Sequence, residues 1–253
     1  MRAPLAALSL LFALTASAAP VPVVHREGSA RGFLVLRNQA GAPIADGELI
    51  QDEQDGAVNT TLRFHFHDGS FSEEKAVFRQ DGAFRLHRYE LTQRGPSFAT
   101  DLHATLDART GRYTVRARDR KDGDETKDDG TLDLPPDVAN GLVPILVKNL
   151  PRGGAVHYVG FTPKPAVIEV AIQPPGGATA AFGAGSVPVA RYVLKPQLGA
   201  IKKAFAKLLG KMPTDTVVWI APGDAPGFLR FEGSLAIGLP RWRIENALVT
   251  LPG

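Results

Sequence analysis

Residues 61–98 read TLRFHFHDGSFSEEKAVFRQDGAFRLHRYELTQRGPSF, and this stretch has the clearest secondary-structure pattern in the chain. Leu62, Phe64 and Phe66 alternate with polar residues, which predicts a strand with one buried face. Turns that contain Asp and Gly follow the first and second strands of the stretch. Three strands joined by short turns form an antiparallel meander, so this stretch indicates a largely β protein.

The third strand of this meander alternates less regularly than the first. Its spacing predicts Leu86, Arg88 and Glu90 on one side of the strand. The rest of the chain adds short strands separated by turns, to a total of roughly a dozen. We therefore predict a mainly β fold, with one large curved antiparallel sheet that forms an open or half barrel.

Two stretches have apolar residues at helical rather than strand spacing. Residues 138–150 follow two prolines and Asp137, a suitable N-cap, and predict a short or kinked helix. Residues 197–210 predict a second short, amphipathic helix. We expect the first helix to pack on the concave side of the sheet, because it is apolar on most sides.

The composition is that of a globular protein rather than a nucleic-acid binder. The chain has 253 residues, 44% of them hydrophobic, a net charge of +3 and no cysteine. Basic residues are mixed with acidic ones along the chain, whereas a nucleic-acid binder concentrates them on one surface. The absence of cysteine excludes disulfides, thiolate metal sites and a cysteine nucleophile.

The first eighteen residues have the pattern of a secretory signal peptide. One arginine precedes an apolar run, and Ala16-Ser17-Ala18 provides the small residues that a signal peptidase cleaves after. We expect cleavage near residue 18, a single β-rich domain over residues 19–253, and a periplasmic or secreted location. No later segment is long and apolar enough to predict a membrane span.

A curved sheet that is too open to be filled by its own side chains leaves an apolar cavity. We therefore predict a non-enzymatic protein that binds or carries an apolar or lipid-like ligand and needs no cofactor. The predicted ligand-binding residues are Phe64, Phe66, Leu142, Ile145 and Leu146. Another hypothesis is an envelope scaffold or interaction module that uses exposed sheet edges.

The alternative is a metal-dependent enzyme or hydrolase that uses His65, His67, Asp68 and Glu74. The two histidines are alternate residues of one strand, so their imidazoles point to the same face and could meet one metal ion. Glu74 is the third ligand in this hypothesis. The spacing from the second histidine to Glu74 is longer than in cupins, and a turn intervenes, so surface histidines are the favoured interpretation.

Several short motifs also resemble a family of uncharacterised exported bacterial proteins, and the resemblance covers nearly all of the mature chain. The motifs are Phe64-x-Phe66-x-Asp68-Gly69-Ser70 with Glu73 or Glu74, Phe78-x-Gln80, Gln93-x-Gly95-Pro96-Ser97-Phe98, Leu134-Pro135-Pro136-Asp137-x-x-Asn140-Gly141, Gly210-Lys211-x-Pro213 and Trp242-Arg243-Ile244. This resemblance implies export but no particular activity or catalytic residue.

At the level of fold, the strand-rich layout with one helix against the sheet is similar to the half-barrels of LolA and LolB, which carry lipoproteins in the periplasm. This similarity implies a concave apolar binding surface. The chain departs from LolB in having no cysteine for lipid attachment.

Overall fold

The alternating pattern forms strands along most of the chain. A computed structural model describes residues 18–182, 185–197, 214–235 and 239–247. The elements in these residues are β1 (Ala30–Arg37), β2 (Pro43–Gln54), β3 (Ala57–Phe66), β4 (Phe71–Asp81), β5 (Ala83–Arg94), β6 (Thr100–Asp107), β7 (Arg112–Asp119), β8 (Glu125–Thr131), α1 (Val143–Lys148), β9 (Gly154–Gly160), β10 (Ala166–Ile172), β11 (Gly176–Phe182), β12 (Gly185–Gln197), β13 (Thr216–Ala221), β14 (Gly227–Gly233) and β15 (Trp242–Asn246).

All of these strands belong to one antiparallel sheet. Its order is β8-β7-β6-β5-β4-β3-β2-β1-β15-β14-β13-β12-β10-β9, and β11 pairs with β12 beside this path. The sheet is open, with β8 at one end of the order and β9 at the other. The predicted fold class, a mainly β protein with one large open antiparallel sheet, is confirmed.

The sheet is curved enough to bring distant strands together. The ring of Tyr89 in β5 stacks on Phe161, which follows β9, with centroids 5.9 Å apart and planes 4° from parallel. These two strands lie near opposite ends of the strand order. Since a flat sheet would separate them by many strand spacings of about 4.8 Å, the contact shows a half-barrel curvature.

Residues 137–142 connect the last strand of the order to the inner face of the meander. Asn140 holds both backbone groups of Val159 in β9: its Nδ2 donates to the carbonyl at 2.9 Å, and its Oδ1 accepts from the N–H at 2.8 Å. A Cβ on the next residue, Gly141, would lie 2.9 Å from the Cβ of Ala76 in β4. The segment therefore links both sides of the concavity.

Helix α1 is shorter than the predicted helix of residues 138–150 and begins only at Val143. Gly141 has a φ of +75°, outside the helical region, and Val138 forms an isolated parallel bridge with His157. Pro144 lies in the first turn of the helix. Backbone N–H groups there have no partner within the helix, so the N–H that proline lacks is not needed. The helix packs on the concave side of the sheet, as predicted, with Ile145, Leu146 and Val147 buried.

A β-bulge corrects the prediction that Leu86, Arg88 and Glu90 share one side of β5. The register with β4 shifts between Val77 and Phe78, where two residues of β5 oppose one of β4. Leu86 is therefore buried while Arg88 is exposed, and Tyr89 points inward. The irregular alternation in the sequence is the signature of this extra residue.

The segment before β1 is fastened to the sheet and to the helix. The Gln80 side chain accepts from the Glu27 N–H and donates to the Glu27 carbonyl, both at 2.7 Å. The Glu27 carboxylate forms a buried ion pair with Lys148, the last residue of α1, at 2.6 Å. Residues before the sheet therefore help to fix the position of α1.

Two sequence predictions lie outside the described residues: most of the signal peptide, residues 1–17, and the body of the second helix, residues 198–210. Among the helical residues that the structure does describe, none forms a segment with the length and apolarity needed to cross a bilayer.

Candidate functional site

A largely apolar cavity of about 670 Å³ lies on the concave side of the sheet, beside α1. Strands from both halves of the sheet contribute to its wall, together with the first turn of α1 and the 140–141 segment. The apolar lining includes Leu49, Leu62, Leu91, Ile145, Ile168 and Phe231. A cavity of this size and character falls in the range of small-molecule binding sites in proteins.

The five predicted ligand-binding residues divide between the cavity wall and the core beside it. Ile145 lines the cavity. Leu142 and Leu146 are buried in the main core cluster, and Phe64 and Phe66 lie in a second cluster with Phe98 and Trp242. Phe64 and Phe66 face the concave side but are buried, and Phe66 packs against the rings of Phe98 and Trp242.

Glu74 places a carboxyl group inside this apolar surface. Its register partners are Leu62 in β3 and Leu91 in β5, so a cavity-lining leucine lies on each side of it. The Tyr89 hydroxyl donates to Glu74 Oε1 at 2.6 Å. No lysine, arginine or histidine among the described residues forms an ion pair with Glu74, which is unusual for a carboxyl in such surroundings.

Burial is the main influence on the ionisation of this group. It raises the pKa of the Glu74 carboxyl above its ordinary value, and the hydrogen bond from Tyr89 offsets only part of that rise. Burial and the nearby Glu74 charge in turn raise the pKa of the Tyr89 hydroxyl well above its usual value. Tyr89 therefore remains a hydrogen-bond donor at every physiological pH.

Tyr158 of β9 brings a second phenol to the same cavity. Its hydroxyl oxygen is buried and has no hydrogen-bond partner among the described residues. Burial, followed by the charge of Glu74, raises the pKa of the Tyr158 hydroxyl. The sequence pattern singles out neither tyrosine as a site residue, and the only local signal for Tyr89 is the irregular alternation in β5.

His65, His67 and Glu74 do not converge in the structure. Both histidines are exposed on the convex face, where His65 packs against Phe71 and His67 Nε2 lies 3.2 Å from Asp46 Oδ2. Glu74 points into the cavity on the opposite face. Within the described ranges, no cluster of three His, Cys, Asp or Glu side chains is arranged to hold a metal ion.

Asp68, the other residue of the enzyme hypothesis, organises a turn. Its carboxylate accepts from the Ser70 N–H and from the Ser97 hydroxyl, both at 2.8 Å. Partial burial acts to raise the pKa of Asp68, but these hydrogen bonds outweigh it and lower the pKa overall. A carboxylate that is stabilised in its charged form by a turn is poorly suited to general acid catalysis near neutral pH.

The two ends of the sheet differ in what they offer to an interacting chain. β8 is exposed at one end and has four charged residues among its seven. Residues 137–140 cover part of the outer edge of β9 at the other end, where the Ala139 N–H donates to the His157 carbonyl at 2.8 Å. Charged or covered edges oppose pairing with another strand.

Comparison of the chain with protein-family models, with curated proteins and with solved structures found no match. The geometry of the cavity is therefore the basis for a functional proposal.

Proposed function

We propose that this chain is an exported, non-enzymatic protein that binds or carries an apolar or lipid-like ligand in the concavity of its sheet. The observation that carries the proposal is the apolar cavity of about 670 Å³ between the sheet and α1. Small-molecule sites in proteins are typically clefts of about 300–1,000 Å³ with a mostly apolar lining, and this space fits that description.

The hydrophobic effect supplies the affinity for such a ligand. Burial of apolar surface contributes roughly 25 cal/mol per Å², and leucine, isoleucine and phenylalanine side chains already form the wall. The curved backbone also limits the entropic cost of binding, because the cavity exists before the ligand arrives. Export agrees with a carrier role, because an apolar molecule needs a carrier to cross an aqueous compartment outside the cytoplasm.

Titration with an environment-sensitive apolar fluorophore, N-phenyl-1-naphthylamine, tests the proposal on delipidated mature protein. We expect saturable binding with enhanced fluorescence, and displacement by single-chain lipids. Native mass spectrometry of the protein before delipidation is expected to show a co-purifying apolar molecule. Absence of saturable fluorophore binding would contradict the proposal.

Adjacent residues of β3 provide a matched pair of variants. Leu62 lines the cavity, whereas Thr61 lies on the opposite face of the same strand. Leu62→Trp should fill part of the cavity and weaken fluorophore binding at least about fivefold, while Thr61→Trp should leave it unchanged. Equal binding by both variants, with circular dichroism showing that both are folded, would place the fluorophore elsewhere.

A further inference from the structure

Three side chains form a polar corner in the largely apolar wall: Glu74, Tyr89 and Tyr158. The Tyr89 hydroxyl donates a hydrogen bond to Glu74 Oε1 at 2.6 Å. The second carboxyl oxygen, Oε2, accepts no hydrogen bond from the described residues, and the Glu74 side chain lines the cavity. One face of the carboxyl is therefore open to whatever occupies the cavity.

The Tyr158 hydroxyl is the second open group in the polar corner. It is buried and unpaired within the described part of the chain, although buried tyrosine hydroxyls nearly always have a partner. Phenylalanine would fill the same space without an unsatisfied polar atom. The presence of the hydroxyl is explained if a ligand supplies its partner.

We propose that the polar corner binds a hydroxyl or amide group of an otherwise apolar ligand, through hydrogen bonds to Tyr158 and to the free oxygen of Glu74. This inference rests on the proposed function, because it specifies the polar group of the ligand in the same cavity. A hydroxyl or amide has both a donor and an acceptor, so it can accept from Tyr158 and donate to Glu74.

The chemistry of the corner favours a neutral group over a charged one. A carboxylate ligand would place a second negative charge beside Glu74 in apolar surroundings. An ammonium can pair with the Glu74 carboxylate, but it has donors only and leaves the Tyr158 proton without an acceptor. Burial raises the pKa of Glu74, and a hydroxyl or amide also suits the protonated carboxyl, because it can exchange donor and acceptor roles with it.

Competition between closely related probes tests this assignment. Dodecanol, dodecyl methyl ether, dodecylamine and dodecanoate are each used to displace N-phenyl-1-naphthylamine from the full mature protein. We expect dodecanol to displace the fluorophore at about tenfold lower concentration than the ether, which accepts but cannot donate a hydrogen bond. Dodecylamine and dodecanoate should be weaker than dodecanol.

Variants of single hydroxyl groups connect these hydrogen bonds to the corner. The Tyr158 hydroxyl has no partner within the described part of the chain, so Tyr158→Phe breaks no hydrogen bond there. It should make dodecanol and the ether each about tenfold weaker, because the oxygen of either probe accepts from Tyr158. Tyr113→Phe is the control, since the Tyr113 hydroxyl contacts Asp128 on an exposed part of the protein. It should leave every probe unchanged.

The outcomes separate this inference from the proposal on which it rests. If the fluorophore binds but dodecanol and the ether are equivalent, or Tyr158→Phe has no effect, the polar-corner assignment is wrong and the apolar cavity stands. Preference for the amine or for the carboxylate also overturns it. If the fluorophore does not bind at all, both proposals fail.

Discussion

The Tyr89 hydroxyl donates a 2.6 Å hydrogen bond to Glu74 on the concave face, while the adjacent Glu73 pairs with Arg63 and Lys75 on the convex face. Neighbouring residues of one strand thus place two carboxyl groups in opposite environments. Burial raises the pKa of Glu74. Burial also acts to raise the pKa of Glu73, but its two cationic partners outweigh this and lower it overall.

The first prediction concerns Glu74→Gln. The folded-state pKa of Glu74 lies above its unfolded value, so the folded protein binds more protons at pH values between the two. The stability that Glu74 contributes therefore falls as pH rises through this window. Glutamine removes this dependence and can still accept from Tyr89. Urea unfolding from about pH 4 to pH 8 should therefore show the variant gaining stability relative to wild type as pH increases.

Glu73→Gln is the control for this measurement and should behave in the opposite way. Its folded-state pKa is lowered, so the stability it contributes is present above the unfolded pKa and lost as pH falls through the folded one. The variant should be less stable than wild type at neutral pH, with a difference that shrinks in acid. Parallel pH profiles for the two variants would contradict the assignment of the two residues to opposite faces.

The second prediction concerns Gly47 in β2, whose register partner is Phe64. A Cβ on Gly47 would lie 2.4 Å from Phe64 Cε1, and Phe64 is almost fully buried among other side chains. Gly47→Ala should therefore reduce the free energy of unfolding by about 1–3 kcal/mol. Gly32→Ala in β1, where no atom lies within 4 Å of the new Cβ, should be neutral or slightly stabilising. Similar effects at both sites in urea unfolding would be inconsistent with this packing.

The third prediction concerns Gly141, at the point where the 137–142 segment crosses the meander. Its φ of +75° disfavours any side chain, and the new Cβ would lie 2.9 Å from that of Ala76. Gly69 has a φ of +82° but open space around it, so Gly69→Ala should cost about 1–2 kcal/mol from backbone strain alone. Gly141→Ala should cost about 1–3 kcal/mol more than this control in thermal or urea unfolding.

The fourth prediction concerns the buried pair of Glu27 and Lys148, 2.6 Å apart. Lys148→Met leaves an uncompensated carboxylate in the interior and should destabilise the protein by about 3–5 kcal/mol. Adding Glu27→Gln removes that charge while keeping an acceptor for the Gln51 amide, which donates to Glu27 Oε2 at 3.1 Å. The double variant should therefore recover much of the loss. Additive losses in a double-mutant cycle would show that the two side chains do not interact.

Strand pattern was readable from residues 61–98 because alternation along a strand is a local property. Phe64 and Phe66 are buried and His65 and His67 are exposed, as the alternation indicated. The turn at Asp68 was also predictable, because its carboxylate bonds to a backbone group two residues on. In β5 the same reasoning assigned Arg88 to the side of Leu86, since a bulge depends on the partner strand and leaves only an irregularity in the sequence.

The sequence by itself determined that this chain forms one large antiparallel sheet with a short apolar helix on it, because periodicity, turn residues and helix-starting prolines act over a few neighbouring positions. The tertiary structure alone decided which residues of the concave face meet open space. That outcome depends on curvature accumulated over many strand pairs, which leaves Phe64 and Phe66 in a packed end of the concavity. The same curvature brings Tyr158 of the last strand in the sheet order into the cavity that Glu74 and Tyr89 line.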